Sequence, residues 1–185
     1  MLETVKTLLA NQYEAVLSML KAAVDQCPDP LWHERVASYP YDRVVFHTLF
    51  FTDLYLGFDH TSFLRQPFHL DNQALFAGLS LDVEPFEDPA PRRHDKAPLL
   101  AYLEFCRRKA AEAVAAETEE TLTGPEPGPR PGFSRAELHV YNIRHVHHHA
   151  AQLGLRLRLE TGEGVEWVGS GWREAAQVVE HPATR

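Results

Sequence analysis

Residues 134–160, SRAELHVYNIRHVHHHAAQLGLRLRLE, decide how this chain folds. Ser134 followed by Glu137 three residues later is the pattern of a capping box, in which a hydroxyl and a carboxylate satisfy backbone donors at a helix start. The Gly-containing TGEG that follows should stop the helix near Glu160. Between these signals Leu138, Tyr141, His145, His149 and Leu153 recur at steps of three and four, so they share one stripe. Two imidazoles at i and i+4 can reach a single metal ion, while a third ligand must come from another element. A helix turns by about 100° per residue, so His147 should point away from His145 into solvent, and His148 should lie on the flank. Neither is assigned as a ligand.

Three further segments carry a helical period. Residues 2–25 place Leu2, Val5, Leu9, Val16, Leu20 and Val24 on one face, ahead of the helix-breaking CPDP. Residues 41–59 include Val44, Val45, Leu49, Phe50, Leu54 and Leu56 and read as a buried core helix. Here Val44, His47, Phe51 and Leu54 form a stripe that turns His47 inward. Residues 97–120, rich in Ala, Glu and Leu, open with Pro98 in a first turn. Residues 61–95 carry Pro67, Pro85, Pro89 and Pro91 with no sustained period and suit a long crossover between the second and third helices. The stretch TGPEPGPRPG, 123–132, is a loop. The expectation is an all-α, four-helix bundle with a long crossover. It forms a single domain over 1–185, in which residues 161–185 are a C-terminal tail tied down by Trp167 and Trp172.

Composition excludes several functions. A formal charge of −8 over 185 residues, with no basic patch, argues against nucleic acid as a partner. Two cysteines, Cys27 and Cys106, are too few for a disulfide framework and suit a reducing cytoplasm. No apolar run approaches the roughly 20 residues that span a bilayer, and the N-terminus lacks the features of a signal peptide.

The histidines carry the chemistry. An inward-facing imidazole without a partner is costly to desolvate, and a metal shared by His47, His145 and His149 would satisfy all three. The alternative is that each is a core histidine bonded to a carbonyl or a tyrosine, with HVHHH acquiring nickel adventitiously at the surface. No Glu follows His145, so the H-E-x-x-H protease pattern is missing. Val44, Asn142 and Val146 stand three before the histidines, so the Glu-x-x-His of di-iron bundles is missing too. A mononuclear tri-histidine site remains, compatible with Zn, Ni, Cu or Fe and open for water or a small-molecule substrate. A fourth protein ligand such as Cys106 or Glu104 would instead point to structural metal. Tyr141, Asn142, His148 and Asp53 are weak candidates for a base or proton shuttle. Trp32, Trp167, Phe50 and Phe51 could line an aromatic pocket.

RVVFHTLFFTDLYLG around His47 and NIRHVHHHAAQLGLRLR around His145 and His149 together resemble the DinB-like (DNA-damage-inducible B) family of bacterial four-helix bundles. The resemblance runs in order over most of the chain and includes WVGSGW near its end. It implies one divalent metal ion per chain, Zn or Ni foremost, held by one histidine on the second helix and a His-x-x-x-His pair on the fourth. These positions correspond to His47, His145 and His149. Gln152 and Leu153 also match, while Ala151 stands where Gly is frequent. The resemblance further implies a homodimer. It leaves open a metal-dependent transferase of a low-molecular-weight thiol, a hydrolase in which the metal activates water, and a non-catalytic metal-binding or stress-response protein.

Overall fold

A computed structural model describes residues 1–57, 63–77, 79, 92–125, 130 and 132–173. Its long helices are α1 (Leu2–Gln26), α3 (Tyr41–Leu56), α6 (Lys96–Ala116) and α8 (Arg135–Thr161). Short ones lie between them: α2 (Asp29–Trp32), a 3-10 turn (Phe63–Arg65), α4 (Pro67–Asp71), α5 (Gln73–Phe76) and α7 (Glu119–Thr123). No strand occurs among the described residues. The helices α6 and α8 each pack against both α1 and α3, which closes the four long helices into a bundle.

The most enclosed helix is α3, of whose residues all but Phe51 are buried. Its buried hydroxyls bond backward within the helix, Thr48 to the Val44 carbonyl (2.7 Å) and Thr52 to that of Thr48 (2.6 Å), so polar side chains survive in the core. The sequence pattern carries this helix to residue 59, but it ends at Leu56. The reason is tertiary. The buried Arg135 guanidinium donates to the carbonyls of Tyr55 (2.9 Å), Leu56 (2.9 Å) and Gly57 (3.3 Å), taking up acceptors that a helix end leaves open. Residues 58 and 59 lie outside the described residues.

The third long helix also ends early, at Ala116 rather than 120. Glu117 turns inward to accept from Arg135 Nε (3.0 Å) and to meet His139 Nε2 (3.0 Å). Thr118 and Thr121 then form a reciprocal capping box that starts α7. Helix α8 begins where its pattern predicts, with Ser134 Oγ accepting from the Glu137 amide as one half of the expected capping box, and stops at Gly162 in the left-handed region (φ 83°).

The described part of the crossover, 63–77, holds short helical turns that its lack of period does not suggest, while Pro85, Pro89 and Pro91 lie outside the described residues. Phe63, Phe68 and Phe76 sit on its short turns and pack with His69 and Tyr102. The segment after α8 folds back on the bundle: Val168 is buried, Arg107 lies 3.9 Å over the Trp172 ring, and the Gly171 amide donates to Asn11. Trp167 does not anchor it. That indole is 66% exposed and only rests edge-on against His147. The remainder of the tail, 174–185, lies outside the described residues, and no described helix is long and apolar enough to cross a membrane.

Candidate metal centre

His47 from α3 meets His145 and His149 from α8 where these two helices cross. The three rings are mutual neighbours, with centroids 5.3 Å apart for His47 and His145, 4.9 Å for His47 and His149, and 4.8 Å for His145 and His149. His47 and His145 point their Nε2 atoms at each other across 3.2 Å. Two nitrogens each about 2.05 Å from one tetrahedral ion stand about 3.3 Å apart, so this pair already has the spacing of two ligands. The three donor atoms lie within 4.8 Å of one another, so only the third need close in by a side-chain adjustment. The residues present therefore fit a metal ion.

Electrostatics favour the same role. Burial lowers the pKa of His47 to about 2 and that of His145 to about 3, with the neighbouring imidazoles adding to the effect, and burial also lowers that of His149. All three rings are therefore neutral at pH 7 and offer lone pairs rather than charge. His149 is oriented by a further contact: its Nδ1 lies 2.9 Å from Gln152 Oε1, and Gln152 Nε2 lies 3.0 Å from His148 Nε2. An Nδ1–H donated to Gln152 leaves the Nε2 lone pair of His149 available, the arrangement by which outer hydrogen bonds orient metal-binding histidines. His145 has no such support, since its Nδ1 is buried without a hydrogen-bond partner among the described residues.

The histidine pair does not occupy the centre of the α8 core face. Arg135, Leu138, His139, Asn142, Val146, Ala150, Leu153 and Leu157 are the buried positions of α8, whereas Tyr141, His145 and His149 lie half-buried on its flank. This offset places His149 in the lining of a surface groove. His147 is half-buried beneath Trp167 rather than solvated, and His148 is the exposed member of the run.

Among the described residues no fourth ligand joins the three histidines. Cys106 is fully buried with its Sγ on the Leu49 carbonyl, and Glu104 is exposed beside Arg107. Of the aromatic candidates Phe51 flanks the site, 4.7 Å from the His47 ring and 6.0 Å from that of His145. Phe50 and Trp32 are buried in the core, the latter bonded to the His94 carbonyl, and Trp167 is outside.

Of the proposed proton-handling residues, Tyr141 shares the flank of His145 and His148 packs on His149 (5.1 Å between ring centroids), whereas Asp53 and Asn142 are bonded elsewhere. Asp53 is six residues from His47, which is about 240° around the helix, and faces a separate cluster. There it accepts from Tyr102 (2.8 Å) and Lys109 and meets His69 Nε2 (2.7 Å). The Asn142 amide is buried and donates to the Thr52 carbonyl. Tyr141 accepts from Arg130 (2.6 Å), which also bonds Tyr55 (3.0 Å). Tyr55 and Arg130 were not singled out by pattern, yet the Tyr55 ring is 6.1 Å from that of His145. The signal was present: residues 47, 51 and 55 repeat at four, as do 141, 145 and 149.

Comparison with curated proteins and with solved structures gives no match. The family model described as the DinB superfamily matches residues 12–153, a span that contains all three histidines, the whole of α3, α8 as far as Leu153 and most of the bundle. The chain belongs to the DinB superfamily.

Proposed function

We propose that this protein binds one divalent metal ion, Zn or Ni, through His47, His145 and His149, and uses it to activate a low-molecular-weight thiol for transfer to a small-molecule electrophile. The observation that carries the reading is the convergence of three neutral imidazoles, one buried and two half-buried, with no fourth protein ligand among the described residues. Structural zinc is normally closed by four protein ligands, so an open position favours a site that accepts an exogenous one. A divalent ion there stabilises the thiolate over the thiol, and the thiolate is the nucleophile. The chain supplies orientation and enclosure: Gln152 holds the His149 ring, and Phe51 and Tyr55 cover one side of the histidines against water. A hydrolytic reading on the same residues has less support, because Asp53, the one carboxylate among the candidate bases, is committed to Lys109, His69 and Tyr102. Action in the cytoplasm as a homodimer completes the proposal.

The test is elemental analysis of untagged protein, dialysed without chelator, beside a His145→Ala/His149→Ala variant that keeps His147 and His148. About one metal per chain in the wild type, lost in the variant, is the expected result. Equal metal in both, or none in either, refutes the site. With metal established, activity towards electrophiles that requires added thiol supports transfer, whereas turnover without thiol supports hydrolysis.

A further inference from the structure

The segment 36–39, the start of α3 and the second half of α8 enclose a groove of about 460 Å³, within the range of small-molecule sites. Its lining runs along α8 from His149 to Leu159, which at 1.5 Å per residue is about 15 Å of helix, so one end of the groove is a metal-binding histidine. The walls are mainly apolar: Val36 and Val44 on one side, Leu155 and Leu159 on the other. These two leucines are 58% and 72% exposed, so the groove presents open apolar surface along α8.

The charge of the groove is also distinctive. The chain as a whole carries a net −8, yet among the described residues no Asp or Glu lines the groove, and its formally charged lining residue is Arg156. Arg156 shares the stripe of His149 and Gln152 and lies about 10 Å from His149 along the helix. Its NH1 is held by Glu160 at 2.7 Å, while its Nε is buried with no hydrogen-bond partner among the described residues. The Arg156 side chain is about a quarter exposed, and a rotation that turns its buried Nε edge towards the groove lets a carboxylate supply the hydrogen bond that this edge lacks.

We propose that this groove binds a small molecule with an apolar body and a terminal carboxylate, the carboxylate on Arg156 and the opposite end, about 10 Å away, at the histidine cluster. This deepens the metal reading by assigning the substrate class of the same site: an amphipathic monocarboxylate, reactive at the end remote from its charge. Walls of Val and Leu select the body, and Arg156 sets which end approaches the histidines.

Octanoate has the required length and is the probe, titrated calorimetrically into full-length untagged protein of measured metal content, with butyrate and octanamide as comparisons. Octanoate should bind at least tenfold more tightly than butyrate, since each buried methylene contributes about threefold to fourfold. Arg156→Gln should weaken octanoate at least tenfold, leave octanamide unaffected and leave metal content unchanged. Leu159→Glu alters an exposed side chain, so it tests the groove with little risk to folding, and it should weaken octanoate similarly by placing a carboxylate in the wall. Equal octanoate affinity in the wild type and Arg156→Gln would put the carboxylate elsewhere, on the metal included, and overturn the proposal. Absence of binding at millimolar octanoate in protein holding one metal per chain would overturn it while leaving the metal site standing. Arg156-dependent binding by protein that holds no metal would uphold the groove and remove the metal reading.

Discussion

Replacing Arg135 with Met should be among the most damaging single changes in this chain, although the residue sits nearly three turns from His145 on α8 and bonds to none of the three candidate ligands. Arg135 is 2% exposed and Glu117 is 1% exposed. The guanidinium bonds three carbonyls at the end of α3 and the Glu117 carboxylate beyond α6, so it joins three of the four long helices. Methionine fills a similar volume and replaces none of these bonds. Removing one partner of a buried ion pair costs about 3–5 kcal/mol, out of a total stability of roughly 5–15 kcal/mol. With a urea slope of about 2–3 kcal/mol/M, the midpoint at pH 7 should fall by on the order of 1–2 M without a change in slope. Acid supplies an independent check. Hydrogen bonds from His139, Thr121 and Arg135, with the Arg135 charge, outweigh desolvation and hold Glu117 at about 2, below its ordinary 4.5. A carboxylate whose folded pKa is depressed stabilises the fold above its unfolded pKa. The contribution, about 2–3 kcal/mol, is therefore lost as pH falls from 4.5 towards 2. Arg135→Met should flatten that acid limb, and Glu117→Gln in the same background should cost little more. A midpoint shift below about 0.3 M, or an unchanged acid limb, would refute the account of Arg135 as the clasp.

Three further outcomes follow from the structure. Gln152→Leu removes the acceptor that orients His149 and should weaken metal affinity by about 10–100-fold in a chelator competition, while His148→Ala changes it by only a few fold; equal effects would contradict the assigned tautomer. Asp53→Asn should destabilise by about 3–5 kcal/mol in urea, because Lys109 loses its buried partner, yet leave metal content intact; loss of metal would return Asp53 to the site. Burial raises the thiol pKa of Cys27 to about 11 and that of Cys106 well above its usual value, so neither should react with a disulfide reagent at pH 8 until the protein unfolds. Rapid labelling of the native protein would contradict that burial.

Much of this protein is legible in its sequence because periodicity and capping are local. The stripes that carry His47 and the pair His145 and His149 follow from 3.6 residues per turn, and Ser134 and Gly162 end α8 through bonds made within a few residues. The triad was identifiable for the same reason, since each member sits at a fixed angle on its own helix. Other features needed partners distant in sequence. Helices α3 and α6 stop early because Arg135 and Glu117 meet across the bundle, which no local pattern encodes. Asp53 lies only six residues from His47, and rotation about the helix assigns it to another cluster. Trp167 and Trp172 are equally large, yet Trp167 is exposed while Trp172 packs under Arg107, because which of them meets the bundle depends on residues distant in sequence. The sequence by itself determined the helices, their inward faces and three candidate ligands. Only tertiary structure decided that the histidines sit on a flank rather than in the core, beside a groove whose charge is Arg156. The physical reason is that a helix sets the angle of a side chain, while its depth and neighbours depend on how whole helices pack.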